Sequence, residues 1–163
     1  MFLFVTLALA NAAMISKLPQ AVRSDIEYSR EMCRSLGHVF QMKEDFIEEN
    51  DFNNDGKPDY IMDTRGFDCG KKIAILFNSR AGTPLYVYLS NKEGKWDKIF
   101  NAYVYEYQVK KDYGQLPYFE VWVRGEVGYQ VVHQRFQWDG KKMAIIKQEI
   151  GTEVPKQMWK KFD

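Results

Sequence analysis

The feature that most constrains the fold is a series of short apolar and aromatic segments, separated by turn residues, in the second half of the chain. These segments are Leu85–Ser90, Trp96–Phe100, Ala102–Val109, Tyr118–Arg124, Tyr129–Trp138 and Lys142–Lys147. The last two flank Asp139-Gly140, a dipeptide typical of tight hairpin turns. Strands joined by such short connections pair antiparallel. We therefore predict an antiparallel meander that curls toward a barrel or a sandwich.

A helical pattern precedes these strands and covers Pro19 to about Leu36. Its apolar residues at helical spacing are Val22, Ile26, Cys33 and Leu36. Most other positions are charged and Gly37 follows as a stop signal, so we expect a surface helix with one buried stripe. Further elements are predicted at Phe46–Glu49, Tyr60–Asp63 and Ile73–Phe77 (strands) and at Pro155–Phe162 (helix). The predicted fold is α+β and mostly β, with the N-terminal helix packed on the antiparallel sheet.

The first residues of the chain, 1–12, form an apolar run that ends in small residues. This pattern is typical of a secretory signal peptide, and it is shorter than the roughly 20 residues that span a bilayer. No Lys or Arg precedes the run, so either the true start lies upstream or the segment is a buried helix or strand. We predict export to a bacterial periplasm or to the medium, no membrane span, and a single globular domain at 13–163.

The chain has two cysteines, Cys33 and Cys69. In an oxidising compartment an even pair most simply forms one disulfide, which would close a loop of roughly 36 residues. The alternative is two separate buried thiols. Zinc is not expected, because His38 and His133 are distant in sequence and show no ligand spacing.

An acidic segment inside that loop reads D-x-N-x-D-G-x-x-D. Oxygen ligands at alternate positions around a glycine are typical of loops that bind Ca²⁺. The predicted ligands are Asp51, Asn53, Asp55, the Lys57 carbonyl and Asp59. The closing Glu of an EF-hand is replaced by Met62, and a strand pattern follows, so the segment instead resembles FG-GAP and integrin-type calcium loops. The alternative is an ion-free turn rich in Asn and Asp.

A longer resemblance covers about residues 30–90. It includes Cys33–Gly37, Phe46-Ile47, the acidic segment with Tyr60–Asp63, Phe67–Gly70 and Pro84–Ser90. The pattern is similar to that of uncharacterised exported proteins from alphaproteobacteria. Those proteins carry two more cysteines where this chain has Asn78–Thr83, and the joint loss of both favours pairing of Cys33 with Cys69. The resemblance implies an exported protein and assigns no activity.

Composition and surface residues bound the function. The chain has 23 Lys+Arg and 22 Asp+Glu, which argues against a nucleic-acid binder. Aromatic rows at Tyr103, Tyr105 and Tyr107 and at Tyr118 and Trp122 could bind a protein or glycan partner, or could only hold the sheet together. We predict a binding or interaction module with one structural calcium loop.

The alternative function is a small metal-assisted hydrolase that uses the acidic loop. It requires a general base near the metal, for which the candidates are Asp63 and His38. His133 is a weaker candidate, because it lies on a strand face with apolar neighbours. No catalytic residue is assigned.

Overall fold

We describe the protein from a computed structural model, which describes residues 14–43, 46–70, 82–126 and 130–151. The helix is α1 (Gln20–Ser35). The strands are β1 (Gln41–Met42), β2 (Ile47–Asn50), β3 (Asp59–Asp63), β4 (Phe67–Asp68), β5 (Thr83–Ser90), β6 (Trp96–Lys110), β7 (Tyr118–Arg124), β8 (Val131–Trp138) and β9 (Met143–Ile150). A short 3₁₀ turn, Thr64–Gly66, joins β3 to β4.

The strands form one large and one small antiparallel sheet. The large sheet has seven strands in the order β2-β3-β5-β6-β7-β8-β9, and β1 pairs with β4 apart from it. This confirms the prediction of an α+β, mostly β fold with a meander. The large sheet does not close into a barrel, because β2 and β9 are the two ends of the strand order. The strand predicted at Ile73–Phe77, the helix predicted at Pro155–Phe162 and the apolar run 1–12 lie outside the described residues.

The helix packs on one face of the sheet through a first core cluster. Its buried members are Leu18, Val22, Ile26, Cys33, Phe46, Tyr60, Met62, Phe67, Cys69 and Tyr88. Cys33 is fully buried in this cluster and forms a disulfide with the nearly buried Cys69, which confirms the predicted pairing. Asp25 also ties the helix to the sheet, because it accepts hydrogen bonds from the Tyr88 hydroxyl at 2.6 Å and from Lys98 Nζ at 2.8 Å. Within the described residues, no helix has the length and apolar composition needed to cross a membrane.

β6 is sharply bent and belongs to two layers of the fold. Its first half pairs with β5 and its second half with β7, where Val109 lies opposite Phe119. Val109 follows Phe100 by nine positions, which is about 30 Å along a straight strand. The rings of Phe100 and Phe119 are nevertheless only 5.7 Å apart. The first layer (β2, β3, β5 and the first half of β6) therefore folds over the second layer (the second half of β6, β7, β8 and β9).

Two local features allow this bend. The β6–β7 register is irregular at Tyr105, which leaves one extra residue on β6, and such bulges bend and twist a strand. Gly82, with φ of +103°, lies so close that a Cβ there would overlap the main chain of Val104. The segments predicted separately at Trp96–Phe100 and Ala102–Val109 are thus one strand with a corner. The predicted split at Asn101 was wrong, because β6 continues through that residue.

A second core cluster fills the space between the layers. Its buried members are Phe52, Ile61, Leu85, Val87, Leu89, Val104, Phe119 and Val121. Phe52 comes from the acidic segment, and its ring meets Phe119 of the second layer at 5.7 Å. The acidic segment is therefore anchored by its own apolar residue between the two layers.

Candidate functional site

The acidic segment, residues 51–59, is fixed to the first layer by a buried carboxylate. Asp59 has no exposed surface, and it accepts hydrogen bonds from the Phe52 N–H at 2.8 Å and from the Ser90 N–H at 2.7 Å. Burial raises the pKa of Asp59, and the two N–H groups oppose this rise only in part. Asp59 thus joins the two ends of the segment to the end of β5.

The outer part of the segment is a series of turns closed by side-chain oxygens. Asp51 accepts from the Asp55 and Gly56 N–H groups through its two oxygens, each at 3.1 Å. The Asn53 amide oxygen accepts from the Asp55 N–H at 3.0 Å. Asn54 and Gly56 have φ of 58° and 78°, the left-handed conformation that Asn and Gly tolerate best. The side-chain oxygens at alternate positions therefore accept hydrogen bonds from main-chain N–H groups of the segment.

Ser90 connects the outer turns to the sheet. Its hydroxyl donates to Asp55 at 2.8 Å, and its carbonyl accepts from the Asn53 amide at 2.9 Å. Partial burial raises the pKa of Asp55, but the Ser90 hydroxyl and the Lys57 N–H outweigh it, so the net pKa is lowered. Asp55 is therefore an ionised carboxylate at neutral pH. No signal in the sequence connects Ser90 to residues 31 to 37 positions away.

The predicted calcium ligands do not all face one point. Among the described residues, no three His, Cys, Asp or Glu side chains are grouped so that they could hold a metal ion. Asp51, Asn53 and Asp55 make their turn contacts at the surface or close to it, whereas Asp59 is directed inward to the two main-chain N–H groups. Each carboxylate oxygen of Asp51 and Asp55 has acceptor capacity beyond one hydrogen bond.

The predicted general bases lie away from this segment. Asp63 is at the far end of β3, about 13 Å from Asp59 along the strand, and it pairs with Arg65 at 2.6 Å. His38 lies beside Gly70, next to the disulfide. His133 is on β8 and stacks on Trp122 with ring centroids 4.4 Å apart. In the described part of the chain, the contacts given for the three predicted bases therefore lie outside the acidic segment.

A cleft of about 830 Å³ opens beside the acidic segment, where the two layers diverge. The β5–β6 turn forms one side of it and the β8–β9 turn the other, because the bend of β6 brings these hairpins together. The apolar part of the lining is Leu89, Ile99, Trp138 and Met143. Asn53 and Asp55 extend one wall, so the acidic segment and the cleft form one candidate site.

Sequence reasoning did not find this cleft. Its walls come from three separate parts of the chain, and only the folding of one layer over the other unites them. The one local signal is the run Trp138–Met143, in which an aromatic residue, a tight turn and two lysines follow one another.

The predicted aromatic rows are not exposed platforms. Tyr118 and Trp122 are buried, and Arg135 and His133 lie over their rings at 4.3 Å and 4.4 Å. Tyr107 packs against the second core cluster, whereas Tyr103 is 49% exposed. Tyr103, Tyr105 and Tyr107 do not form the predicted row, because the irregularity at Tyr105 breaks the alternation of side chains on which that prediction depended.

A buried carboxylate organises the face of the second layer that carries these rings. Glu120 is 1% exposed and accepts hydrogen bonds from Lys110 Nζ at 2.6 Å and from Arg135 Nη2 at 2.7 Å. Burial raises the pKa of Glu120, but the two cations outweigh it and the net pKa is lowered. This ionic cluster is a structural feature of β6, β7 and β8, remote in sequence from the acidic segment.

Comparison of the chain with known proteins gives no family assignment. No protein-family model, no curated protein and no solved structure matches the chain at a significant level. The function must therefore be inferred from the cleft and the acidic segment themselves.

Proposed function

We propose that this protein is an exported binding module, periplasmic or secreted, that holds its ligand in the cleft between the β5–β6 and β8–β9 turns. The single observation that carries this proposal is the cleft of about 830 Å³ with an apolar floor and a polar rim. A cavity of this size suits a small molecule or a short segment of a protein or glycan partner.

Two further observations favour the exported compartment. The disulfide between Cys33 and Cys69 is of the kind that persists in oxidising compartments. The apolar run 1–12 has the composition of a signal peptide. Fusion of residues 1–20 to a reporter enzyme that is active only after export tests this point. A reporter that stays inactive, while a fusion to an established signal peptide is active, would refute residues 1–20 as a sufficient export signal.

Binding in the cleft is tested with a pair of substitutions to tryptophan. Ile99 is 37% exposed and lines the cleft, so Ile99→Trp should fill part of it. Ile146 is 51% exposed on β9 and is not part of the lining, so Ile146→Trp is the matched control. In a thermal-shift screen of peptides, oligosaccharides and small organic ions, true cleft ligands should raise the melting temperature of the wild type and the control but not of Ile99→Trp. The proposal fails if no compound distinguishes the two variants.

We also propose that the acidic segment binds Ca²⁺ weakly and in a structural role. Its support is the spacing of Asp51, Asn53, Asp55, the Lys57 carbonyl and Asp59, together with the surface position of the first three. Kd for a lone extracellular loop would be about 10⁻⁴–10⁻³ M. At roughly 1 mM Ca²⁺ this adds about 0.4–1.4 kcal/mol to the free energy of unfolding, or roughly 1–5 °C in melting temperature.

The calcium proposal is tested by calorimetric titration and by thermal melts in EDTA and in Ca²⁺. Asp51→Asn should abolish the shift, because it removes a charge and keeps a similar shape. Asp139→Asn is the matched control, since Asp139 also closes a turn by accepting two main-chain N–H bonds, from Lys141 and Lys142. A wild type that shows neither heat nor a calcium-dependent shift would exclude the ion.

A further inference from the structure

Three ammonium groups stand at the mouth of the cleft. Lys92 belongs to the β5–β6 turn, and Lys141 and Lys142 belong to the β8–β9 turn. All three are exposed, and within the described residues none of their ammonium groups forms a hydrogen bond or an ion pair. Asp139 is the nearest carboxylate in sequence to the last two; it accepts their main-chain N–H groups and interacts with their charges without forming an ion pair.

The carboxylates of the cleft lining each have a partner within the described residues, but only Glu93 has a charged one. Asp55 accepts from the Ser90 hydroxyl at 2.8 Å, and Asp97 accepts from the Asn91 amide at 2.9 Å. Glu93 pairs with Lys95 at 2.9 Å. Because the partners of Asp55 and Asp97 are neutral groups, both carboxylates keep their charge. An anionic group is therefore favoured only at the mouth, where the three lysines stand.

The floor beneath these groups is apolar and continuous with the core. Trp138 and Met143 pair across β8 and β9 and pack against the second core cluster. Leu89 is buried, and Ile99 on the neighbouring strand β6 is partly exposed. An apolar body placed on this floor would gain about 25 cal/mol for each Å² removed from water.

From this combination we propose that the cleft takes a small amphipathic anion: an apolar, preferably aromatic body on Trp138 and Met143, with one carboxylate, sulfonate or phosphate group among Lys92, Lys141 and Lys142. This inference rests on the proposed function and adds the chemical class of the ligand. The apolar body supplies most of the affinity, and the anionic group supplies selectivity, because exposed ion pairs are weak and are screened by salt.

Two dyes with one skeleton test the class. The anion 8-anilinonaphthalene-1-sulfonate and its neutral analogue N-phenyl-1-naphthylamine differ by the sulfonate group. The anion should bind the native protein with micromolar to submillimolar Kd and should bind several-fold more tightly than the neutral dye. Its affinity should fall as salt rises from 20 mM to 500 mM. Ile99→Trp should abolish binding of the anionic dye, and this result would place the dye in the cleft.

Charge-matched lysine variants complete the test. The double variant Lys141→Gln with Lys142→Gln should lower the affinity for the anionic dye about fivefold to tenfold and leave the affinity for the neutral dye unchanged. Lys17→Gln with Lys43→Gln removes the same charge outside the cleft lining and should leave both affinities unchanged. Equal affinities for the two dyes, or equal effects of the two double variants, would overturn the anion class while the cleft remains a binding site. If neither dye binds the native protein, both this inference and the proposed cleft function fail.

Discussion

Asp59 is the residue for which the structure and the calcium motif assign the most different roles. In the motif it is a metal ligand, whereas in the structure it is a buried acceptor for the Phe52 and Ser90 N–H groups. We therefore predict that Asp59→Asn destabilises the protein even when EDTA removes all divalent ions. A carboxylate that served only the metal would be dispensable under those conditions.

The size of the effect follows from the two hydrogen bonds. Asparagine keeps one acceptor oxygen and places an NH₂ group against the other buried N–H. One bond to a charged acceptor, worth about 1.5–3 kcal/mol, is lost, and a buried donor is left without a partner. Burial raises the pKa of Asp59, so the neutral amide is less costly to bury than the carboxylate, and this offsets part of the loss. We expect a net loss of about 2 kcal/mol, or roughly 1 M in the urea midpoint.

The assay is urea unfolding in EDTA, followed by tryptophan fluorescence at pH 7 and pH 4.5. Asp51→Asn is the internal control, because its two N–H bonds are at the surface and their loss should cost less than about 1 kcal/mol. Because the pKa of Asp59 is raised on folding, its titration favours the fold fully below about pH 3.9 and loses that contribution as pH rises through the folded value. The gap between wild type and Asp59→Asn should thus be larger at pH 4.5 than at pH 7. Equal losses for the two variants in EDTA, or a loss for Asp59→Asn only in Ca²⁺, would refute the structural role.

Three further predictions concern the rest of the fold. Glu120→Gln should cost about 2 kcal/mol at pH 7, and because the pKa of Glu120 is lowered on folding, urea titrations should show this difference fading below about pH 4.3. Replacing both Cys33 and Cys69 by alanine removes the crosslink between residues 36 positions apart, which should lower the free energy of unfolding by about 4 kcal/mol in the chain-entropy model. Dithiothreitol should lower the melting temperature of the wild type but not that of this double variant. Gly82→Ala should cost more than about 2 kcal/mol in the same unfolding assay, because a Cβ at this position overlaps the main chain of β6. Gly114→Ala is the control and should cost only about 1 kcal/mol, since Gly114 has φ of +73° but lies in open space. Similar losses for both variants would contradict the close approach at the bend.

Local patterns predicted most of the fold. Hairpin turns such as Asp139-Gly140 and the helical stripe that carries Cys33 are encoded within a few residues, so their elements were predictable. The pairing of Cys33 with Cys69 followed from the presence of two cysteines in a chain that we predict to be exported. In each case the deciding interaction is local, or has only one available partner.

The rest depended on contacts between distant residues. The corner in β6 requires Gly82 to approach Val104, and a bulge at Tyr105 then reverses which aromatic residues share a face. The motif placed Asp59 among the ligands because its type and spacing were right. Its burial against Ser90, 31 positions later, is not a property of the motif, so the sequence could not separate a metal ligand from an acceptor of main-chain hydrogen bonds.

The meander order has a consequence for the way this chain folds. From β5 to β9 every strand pairs with the strand that follows it in sequence, so the second layer can form by successive hairpins with little loop-closure entropy. The acidic segment can reach its native conformation only after the end of β5 is in place, because Ser90 anchors it. We expect the Phe52 and Ser90 amides to gain protection from hydrogen exchange after those of β7 and β8 during refolding. The residues of the acidic segment that form one wall of the cleft would then be the last to reach their native conformation.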